Sequence, residues 1–281
     1  MTKLLNANFR RLWRSKTFWI GLAVACAHHL LGVLNNFYYK DVFTDQVIKA
    51  DHTLEPDTLI LSLIVAVITA FFIGREYGDK TIRNKIVTGH ARSKIYLANL
   101  IVCSAAAAIL FFVPMLVMGL AVGAPLMGGF ELSAKAFILP VLCDLLALLA
   151  FTALFVLLAM SVQNRTACAV IVLLLAFVLA WIPAPLRETL ESPQYVTEVV
   201  FSEEVEDFVE TGRLMENQAY VGGAARTVLE FAYDFLPACQ LEQTSAYNET
   251  KDMIHLPVYS VAFILVTILG GAWIFNKKEL K

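Results

Sequence analysis

Long apolar runs alternate with short polar segments along the 281 residues of the chain. The clearest run extends from Ile95 to Phe130 and contains no Asp, Glu, Lys or Arg. About 20 apolar residues in a helix are enough to cross the hydrocarbon core of a membrane. The pattern predicts six transmembrane helices, at residues 17–37, 58–74, 95–120, 134–161, 166–182 and 256–275.

The composition agrees with this pattern, because 58% of the residues are hydrophobic and only 16% are charged. A soluble domain of ordinary composition carries roughly 25% charged residues. The predicted fold class is therefore an all-α polytopic membrane protein, with residues 1–281 forming one transmembrane domain. We expect it to contact membrane lipid and to have no nucleic-acid partner.

The basic residues indicate how the chain is oriented. Of the 22 Lys and Arg residues, 15 lie in the N-terminal segment, the second-to-third connection, the fourth-to-fifth turn and the C-terminal tail. By the positive-inside rule these segments are cytoplasmic, so both termini are expected in the cytoplasm. The segment 183–255 carries 14 acidic against 4 basic residues and is expected outside. We expect a multi-pass protein of the cytoplasmic membrane, from a bacterium.

Residues 1–16 are predicted to form an interfacial helix on the inner leaflet. A helical wheel separates them into an apolar face and a basic face. The apolar face contains Leu5, Phe9, Leu12 and Trp13, and the basic face contains Lys3, Arg10, Arg11 and Arg14. The alternative is a simple cluster of charges that fixes the topology.

The external segment 183–255 is predicted to contain two amphipathic helices, each with one apolar stripe. The first stripe is Phe201, Val205, Phe208 and Val209, opposed by Glu203, Glu206, Asp207 and Glu210 and ended by Gly212. The second stripe is Val228, Phe231, Ala232, Phe235 and Leu236, ended by Pro237. Both helices need a partner for their apolar faces.

The second-to-third connection reads GREYGDKTIRNKIVTGHARSKI, from Gly74 to Ile95. Its glycines and its Lys-Thr pair suggest a phosphate-binding loop of the G-x-x-x-x-G-K-[ST] type. However, Gly74 and Gly78 are one residue too close, and Asp79 would place a negative charge among the amides that hold phosphate. An apolar helical span, not a strand, precedes the loop. The sequence therefore excludes nucleotide binding here.

The same connection is better explained as a short cytoplasmic helix. Asp79 is a candidate N-cap, Ile82, Ile86 and Val87 lie on one side, and Gly89 is a candidate C-terminal stop. Two turns of helix are not stable alone, so neighbouring span ends or a docked protein must support them. The alternative is an ordinary basic loop.

The stretch FFIGREYGDKTIRNKIVTGHARSKIYLANLIV resembles the inter-span signature of permease subunits of type-2 ABC exporters. The matching positions are Phe72, Glu76, Tyr77, Gly78, Thr81, Ile82, Arg83, Asn84, Gly89 and Arg92. The six spans, the N-terminal helix, the FLPACQ stretch (235–240) and the FNKKELK tail are also similar to that family.

This resemblance implies that a separate ABC ATPase subunit drives the chain and docks on segment 75–94, whose short helix would be the coupling helix. The expected coupling residues are Glu76, Tyr77, Thr81, Ile82, Arg83, Asn84, Ile86 and Val87. The resemblance further implies two ATPase copies and a second permease copy, with a homodimer as the simple case. Substrate would pass between the two permeases, along their second and fifth spans. The chain itself would be no enzyme and hold no cofactor, because ATP and Mg belong to the ATPase.

One further candidate is Asp144, an ionisable residue inside the fourth span, where a carboxylate is costly and often contacts a substrate or a proton. The alternative function is a membrane immunity or sensor protein that binds a peptide without transporting it. A membrane-embedded enzyme is disfavoured, because Asp144, His28 and His29 are too few and too scattered to form a catalytic site.

Overall fold

A computed structural model describes residues 1–39, 50–54, 57–129, 133–202, 207–245 and 253–278. Its α-helices are α1 (Thr2–Trp13), α2 (Lys16–Tyr39), α3 (Asp51–Leu54), α4 (Thr58–Gly78), α5 (Thr81–Val87), α6 (Arg92–Pro114), α7 (Ala124–Met127), α8 (Ala134–Ser161), α9 (Arg165–Trp181), α10 (Pro183–Glu191), α11 (Gly223–Phe235), α12 (Pro237–Ser245) and α13 (His255–Lys277). A π-helix, Met115–Gly123, continues α6, and two strands, β1 (Tyr195–Ser202) and β2 (Asp207–Glu216), form an antiparallel hairpin.

Six helices are long and apolar enough to cross a membrane: α2, α4, α6 with its π-helical continuation, α8, α9 and α13. Side chains at two span entrances help to fix where the helices begin. Asp57 accepts a hydrogen bond from the backbone N–H of Ile60 ahead of α4, and Asn164 accepts from Thr166 and Ala167 ahead of α9. The predicted fold class and its six spans are confirmed.

The spans pack around α8, which contacts α4, α6, α12 and α13. Large aromatic side chains fill the centre of the bundle, and Tyr96, Phe111, Phe151, Phe155 and Phe275 are all fully buried. By contrast, α2, α9 and α13 keep most of their side chains on the outside of the bundle. These three spans therefore present the apolar surface that lipid or a partner must cover.

The short helix α3 packs inside the bundle against α2 and the π-helix. His29 of α2 donates its Nε2–H to the Thr53 carbonyl oxygen, at 2.9 Å. A Cβ atom at Gly119 of the π-helix would lie 2.6 Å from the same oxygen. Only glycine therefore allows this approach of α3 to the π-helix.

The first amphipathic helix predicted between the fifth and sixth spans is wrong, because residues 195–202 and 207–216 form the antiparallel strands β1 and β2. Gly212, predicted to end that helix, lies inside β2 with a φ of +73°. Glu203, Val205 and Glu206 lie outside the described residues. The run from Tyr195 to Phe201 is rich in β-branched and aromatic residues, which fit a pleated strand better than a helix.

The second predicted amphipathic helix is confirmed as α11, which ends just before Pro237. The chain then turns at Pro237 into α12, which is almost entirely buried against α8. Phe231 and Phe235 of α11 stack on each other and meet Tyr259 of α13 edge-on. The segment between the fifth and sixth spans thus contains two helices that pack on the bundle, α11 and α12, and the β1–β2 hairpin.

The N-terminal helix is present as α1, but its two faces are only partly as predicted. Leu4, Asn8 and Leu12 are buried against the bundle, whereas Trp13 is exposed. Arg11, assigned to the basic face, turns inward toward α4. The helical wheel assigned Arg11 to the wrong face because it considers one helix alone and takes no account of Glu76 on α4.

Candidate functional site

The carboxylate of Glu76 lies in the last turn of α4 and has 0% side-chain exposure. Two cations contact its Oε1 atom: the Arg11 guanidinium from α1 and the Lys85 ammonium from α5. Its Oε2 atom accepts a hydrogen bond from Asn99 Nδ2 of α6, at 2.7 Å. A buried carboxylate without such partners would be strongly unfavourable, so these contacts explain how Glu76 is tolerated.

A second layer of hydrogen bonds closes this arrangement. Asn8 Nδ2 donates to Asn99 Oδ1 at 2.7 Å, and Lys85 Nζ donates to Asn8 Oδ1 at 3.0 Å. We call Asn8, Arg11, Glu76, Lys85 and Asn99 the Glu76 cluster. Because its members come from α1, α4, α5 and α6, the cluster ties the short helix α5 to two spans and to the N-terminal helix.

The cluster carries two cations and one carboxylate, so its formal charge is positive when all three are ionised. Burial lowers the pKa of Lys85 below its ordinary value; Glu76 raises it, and Arg11 lowers it further. The Arg11 guanidinium also lies over the Phe72 ring, 3.8 Å from the ring centre. This cation–π contact gives Arg11 a second partner besides Glu76.

The corner between α4 and α5 is sharp because Lys80 has a left-handed backbone, with a φ of +56°. The prediction that Asp79 caps α5 is wrong. Asp79 instead ends α4 and pairs with Arg75, at 3.3 Å. Thr81 closes the corner, since its hydroxyl donates to the Glu76 carbonyl oxygen at 3.1 Å.

The C-terminal stop at Gly89 is confirmed, with a φ of +86°. The Gly89 N–H donates to the Ile86 carbonyl at 2.9 Å, and the His90 N–H donates to the Lys85 carbonyl at 3.1 Å. This pair of bonds is a Schellman motif, which fixes the end of a helix. α5 is therefore a defined two-turn helix rather than an irregular loop.

The residues that the sequence singled out as coupling residues fall into three groups by exposure. Glu76 and Ile82 are buried; Tyr77, Thr81 and Ile86 are partly buried; Arg83, Asn84 and Val87 are exposed. Val87 exposes 79% of its surface. Only the third group is freely accessible to another protein, and the first two groups hold α5 against the bundle.

Side chains close the C-terminal ends of two helices, α8 and α13, which the sequence did not predict. Lys278 donates to the Ser161 carbonyl at the end of α8, and the Tyr77 hydroxyl donates to the neighbouring Met160 carbonyl at 2.6 Å. Arg92 donates to the Asn276 and Lys278 carbonyls at the end of α13. Cations at helix C-termini satisfy the free carbonyls and the helix dipole.

Asp144 lies at the opposite end of the bundle, buried beneath α12. The Thr244 hydroxyl of α12 and the Thr58 hydroxyl of α4 hydrogen-bond to it. Within the described residues, no basic side chain lies within 4.0 Å of its carboxylate. Asp144 is therefore not exposed to a substrate in this structure.

Two glutamine side chains hold α12 in this position. Gln240 Nε2 donates to the Asp234 carbonyl at 2.7 Å, and Gln243 Nε2 donates to the Tyr233 carbonyl at 3.0 Å. The Ser260 hydroxyl of α13 also donates to Gln240 Oε1. At the α12 end, neutral donors thus bind the carboxyl group of Asp144, and an ion pair at 3.2 Å joins Glu242 of α12 to Arg187 of α10.

The part of the chain that the structure describes contains no group of three or more His, Cys, Asp or Glu side chains placed to hold a metal ion. The five cysteines are free thiols. Burial raises the pKa of Cys239, in α12, to about 12. A thiol with so high a pKa is a poor nucleophile at neutral pH.

Comparison with known proteins identifies the chain's family. The family model described as ABC-2 family transporter protein matches residues 4–182, which include most of α1, the first five spans and α5. A search of curated proteins found no match. The family is a membrane transport component rather than a catalytic subunit, and it implies association with an ABC transporter ATPase. The chain therefore belongs to the ABC-2 family of transporter proteins and is a multi-pass permease of an ABC transporter.

Proposed function

We propose that the chain forms the substrate pathway of an ATP-driven exporter and that α5 is its coupling helix. The observation that carries this proposal is the Glu76 cluster. A force on α5 would reach α1, α4 and α6 through Lys85, Glu76 and Asn99 without crossing a flexible segment. The sequence resemblance over segment 75–94 independently supports the same role for α5.

The exposed side of α5 supplies the docking surface for the ATPase. Val87 would enter an apolar cleft, while Arg83 and Asn84 would make polar contacts around it. Ile82 and Ile86 would anchor the helix on the permease side. Tyr77 and Thr81 would keep the α4–α5 corner rigid.

The energy source would lie wholly in the partner. Two ATPase copies would each hold ATP and Mg, and this chain would hold no cofactor. Closing of the two ATPases on ATP would move the two permeases between inward-open and outward-open states.

A second permease copy would pack against α4 and α9. These helices form an open apolar groove lined by Leu63, Ile64, Val67, Val170, Leu173, Leu174 and Phe177. Exposed Phe177 and Trp181 extend the same apolar surface along α9. A homodimer is the simplest arrangement, with the substrate passing between the facing copies.

The proposed orientation places both termini and α5 in the cytoplasm of a bacterial cell and the hairpin outside. The charge distribution supports it, since 15 of the 22 basic residues fall in the sequence segments that the positive-inside rule assigns to the cytoplasm. Export rather than import follows the family resemblance.

The test is purification of the tagged chain together with its ATPase, followed by reconstitution into vesicles. Val87→Asp should abolish co-purification, because it would place a charge in the apolar docking cleft. Leu214→Asp, which introduces the same charge at an exposed apolar position outside segment 75–94, is the matched control and should leave the complex intact.

Two results would contradict the proposal. One is an intact complex with wild-type ATP-dependent flux in Val87→Asp. The other is peptide binding by the wild-type chain with no ATP-dependent flux, which would favour the immunity or sensor function instead.

A further inference from the structure

The β1–β2 hairpin stands apart from the helices. Its strands pair with each other, and no described helix packs extensively on either strand. The attachment at its base is polar, since the Asn217 N–H donates to the Gln194 carbonyl at 3.0 Å and Asn217 Nδ2 donates to the Pro193 carbonyl at 2.9 Å. A two-stranded hairpin alone is only marginally stable in water, and a third strand would stabilise it.

The base of the hairpin exposes apolar side chains. Tyr195, Val196, Leu214 and Met215 expose 50%, 36%, 67% and 44% of their surfaces. Val196 pairs with Met215, and the next pair is Thr197 with Leu214. Because successive residues of a strand face opposite sides, apolar groups are accessible on both faces of the sheet.

The two edges of the hairpin differ. In β2, Thr211, Gly212 and Arg213 lie opposite the single residue Glu198, so β2 bulges there. The left-handed backbone of Gly212 falls within this bulge and interrupts the outer edge of β2. β1 has no such interruption over its eight residues. No other described strand pairs with its outer edge, which therefore offers a continuous row of backbone groups onto which another strand can add.

The charge of the hairpin restricts what can bind there. The two strands contain four acidic residues and one basic residue, Arg213, and the sequence between the strands adds three further acidic residues. A second copy of the hairpin or an anionic lipid surface would meet like charge. A cationic chain would meet opposite charge. The same occupant must also offer apolar side chains for the exposed patch at the base.

We propose that the free edge of β1 binds an extended cationic peptide segment that carries apolar residues, by addition of a third strand. Main-chain hydrogen bonds to β1 would supply affinity, and the acidic side chains would select for lysine and arginine. About eight peptide residues would cover the strand, at roughly 3.3 Å per residue. This binding requires only that the hairpin reach solvent, so it stands or falls independently of the proposed ATPase coupling.

The first test uses the full wild-type chain in nanodiscs of neutral lipid, with no ATPase present. The probe is a fluorescent eight-residue peptide of alternating lysine and valine. It should bind, and added salt should weaken the binding. A peptide of alternating glutamate and valine, and the lysine–valine peptide with every backbone amide N-methylated, should each bind at least tenfold more weakly. Equal binding of the N-methylated peptide, or no binding of the first probe, would overturn strand addition.

The second test locates the site. The double variant Glu198→Gln with Glu216→Gln should weaken binding by about three- to tenfold, as expected for two partly exposed charge contacts. The matched double variant Glu188→Gln with Glu191→Gln removes the same charge from exposed positions on α10 and should bind like the wild type. An equal loss in both double variants would show diffuse attraction and would overturn the assignment to the hairpin. Dimer formation through the hairpin would also overturn the assignment.

Discussion

The two ends of the bundle bury a carboxyl group in different ways. At the α5 end, Glu76 is surrounded by the cations Arg11 and Lys85. At the α12 end, Asp144 is held by hydroxyl groups. Removing one partner from an ion pair leaves a buried charge, whereas a hydroxyl can turn to another acceptor. The comparison predicts that the Glu76 site tolerates the loss of one partner less well than the Asp144 site does.

The largest effect is expected for Glu76→Ala, which leaves Arg11 and Lys85 facing each other without a carboxylate. Loss of one partner from a buried ion pair costs about 3–5 kcal/mol. The free energy of unfolding, measured by SDS titration in mixed micelles, should fall by this amount. Glu76→Gln, which still accepts from Asn99, should lose less. A Glu76→Ala protein as stable as the wild type would remove the contrast between the two ends.

Lys278→Ala should have the next largest effect, because it removes the donor to the Ser161 carbonyl at the end of α8, whereas Tyr77 still donates to the Met160 carbonyl. Hydrogen bonds to charged groups contribute about 1.5–3 kcal/mol, and the partial exposure of Lys278 places this one near the lower limit. Faster hydrogen exchange should be confined to the amides in the last turn of α8. Lys277→Ala is the control, since Lys277 contacts the Trp273 ring instead. Uniform acceleration over all spans would show that Lys278 is not a local cap.

Asp144→Ala should cost about 1 kcal/mol, the net contribution of an ordinary hydrogen bond. The Thr244 hydroxyl can donate to the carbonyls of Leu241 and Gln240, which lie 2.9 and 3.2 Å away. Asp144→Asn, which keeps an acceptor, should be nearly neutral. The same SDS titration provides the measurement. A loss as large as that of Glu76→Ala would mean that the α12 end depends on its carboxylate as strongly as the α5 end.

The smallest effect is expected for Arg75→Ala. The Arg75–Asp79 pair lies beside the Glu76 cluster, but its side chains are 66% and 57% exposed. Exposed pairs of this kind contribute about 0.2–1 kcal/mol. The variant should unfold within experimental error of the wild type at high salt. A larger loss would show that the pair helps to fix the α4–α5 corner.

The six spans could be predicted because a membrane span needs only length and apolarity, and both are visible in one sequence. The position of α5 could be predicted from its glycine stop and from the family resemblance. Neither signal shows which residues of α5 face the bundle. The burial of Ile82 and the exposure of Val87 depend on the Lys80 corner, and lysine carries no sequence signal for a left-handed backbone.

The Glu76 cluster itself was only half visible. Glu76 was matched to the family signature, but its partners lie up to 65 residues away along the chain. Asn99 offered a missed clue, because a polar side chain inside an otherwise apolar span usually has a partner. The hairpin was missed for a different reason. Apolar residues three to four positions apart fit a helix over a short segment. This spacing was given more weight than the preference of valine and phenylalanine for strands.

The left-handed backbone of Lys80 has a consequence for engineering this protein. Glycine at this position would remove a steric cost of roughly 1–2 kcal/mol, and a screen for thermal tolerance would select it. It would also make the corner between α4 and α5 more flexible, so that a displacement of α5 would be transmitted less effectively to α4. A more stable protein obtained in this way would therefore couple the movement of α5 to α4 less well.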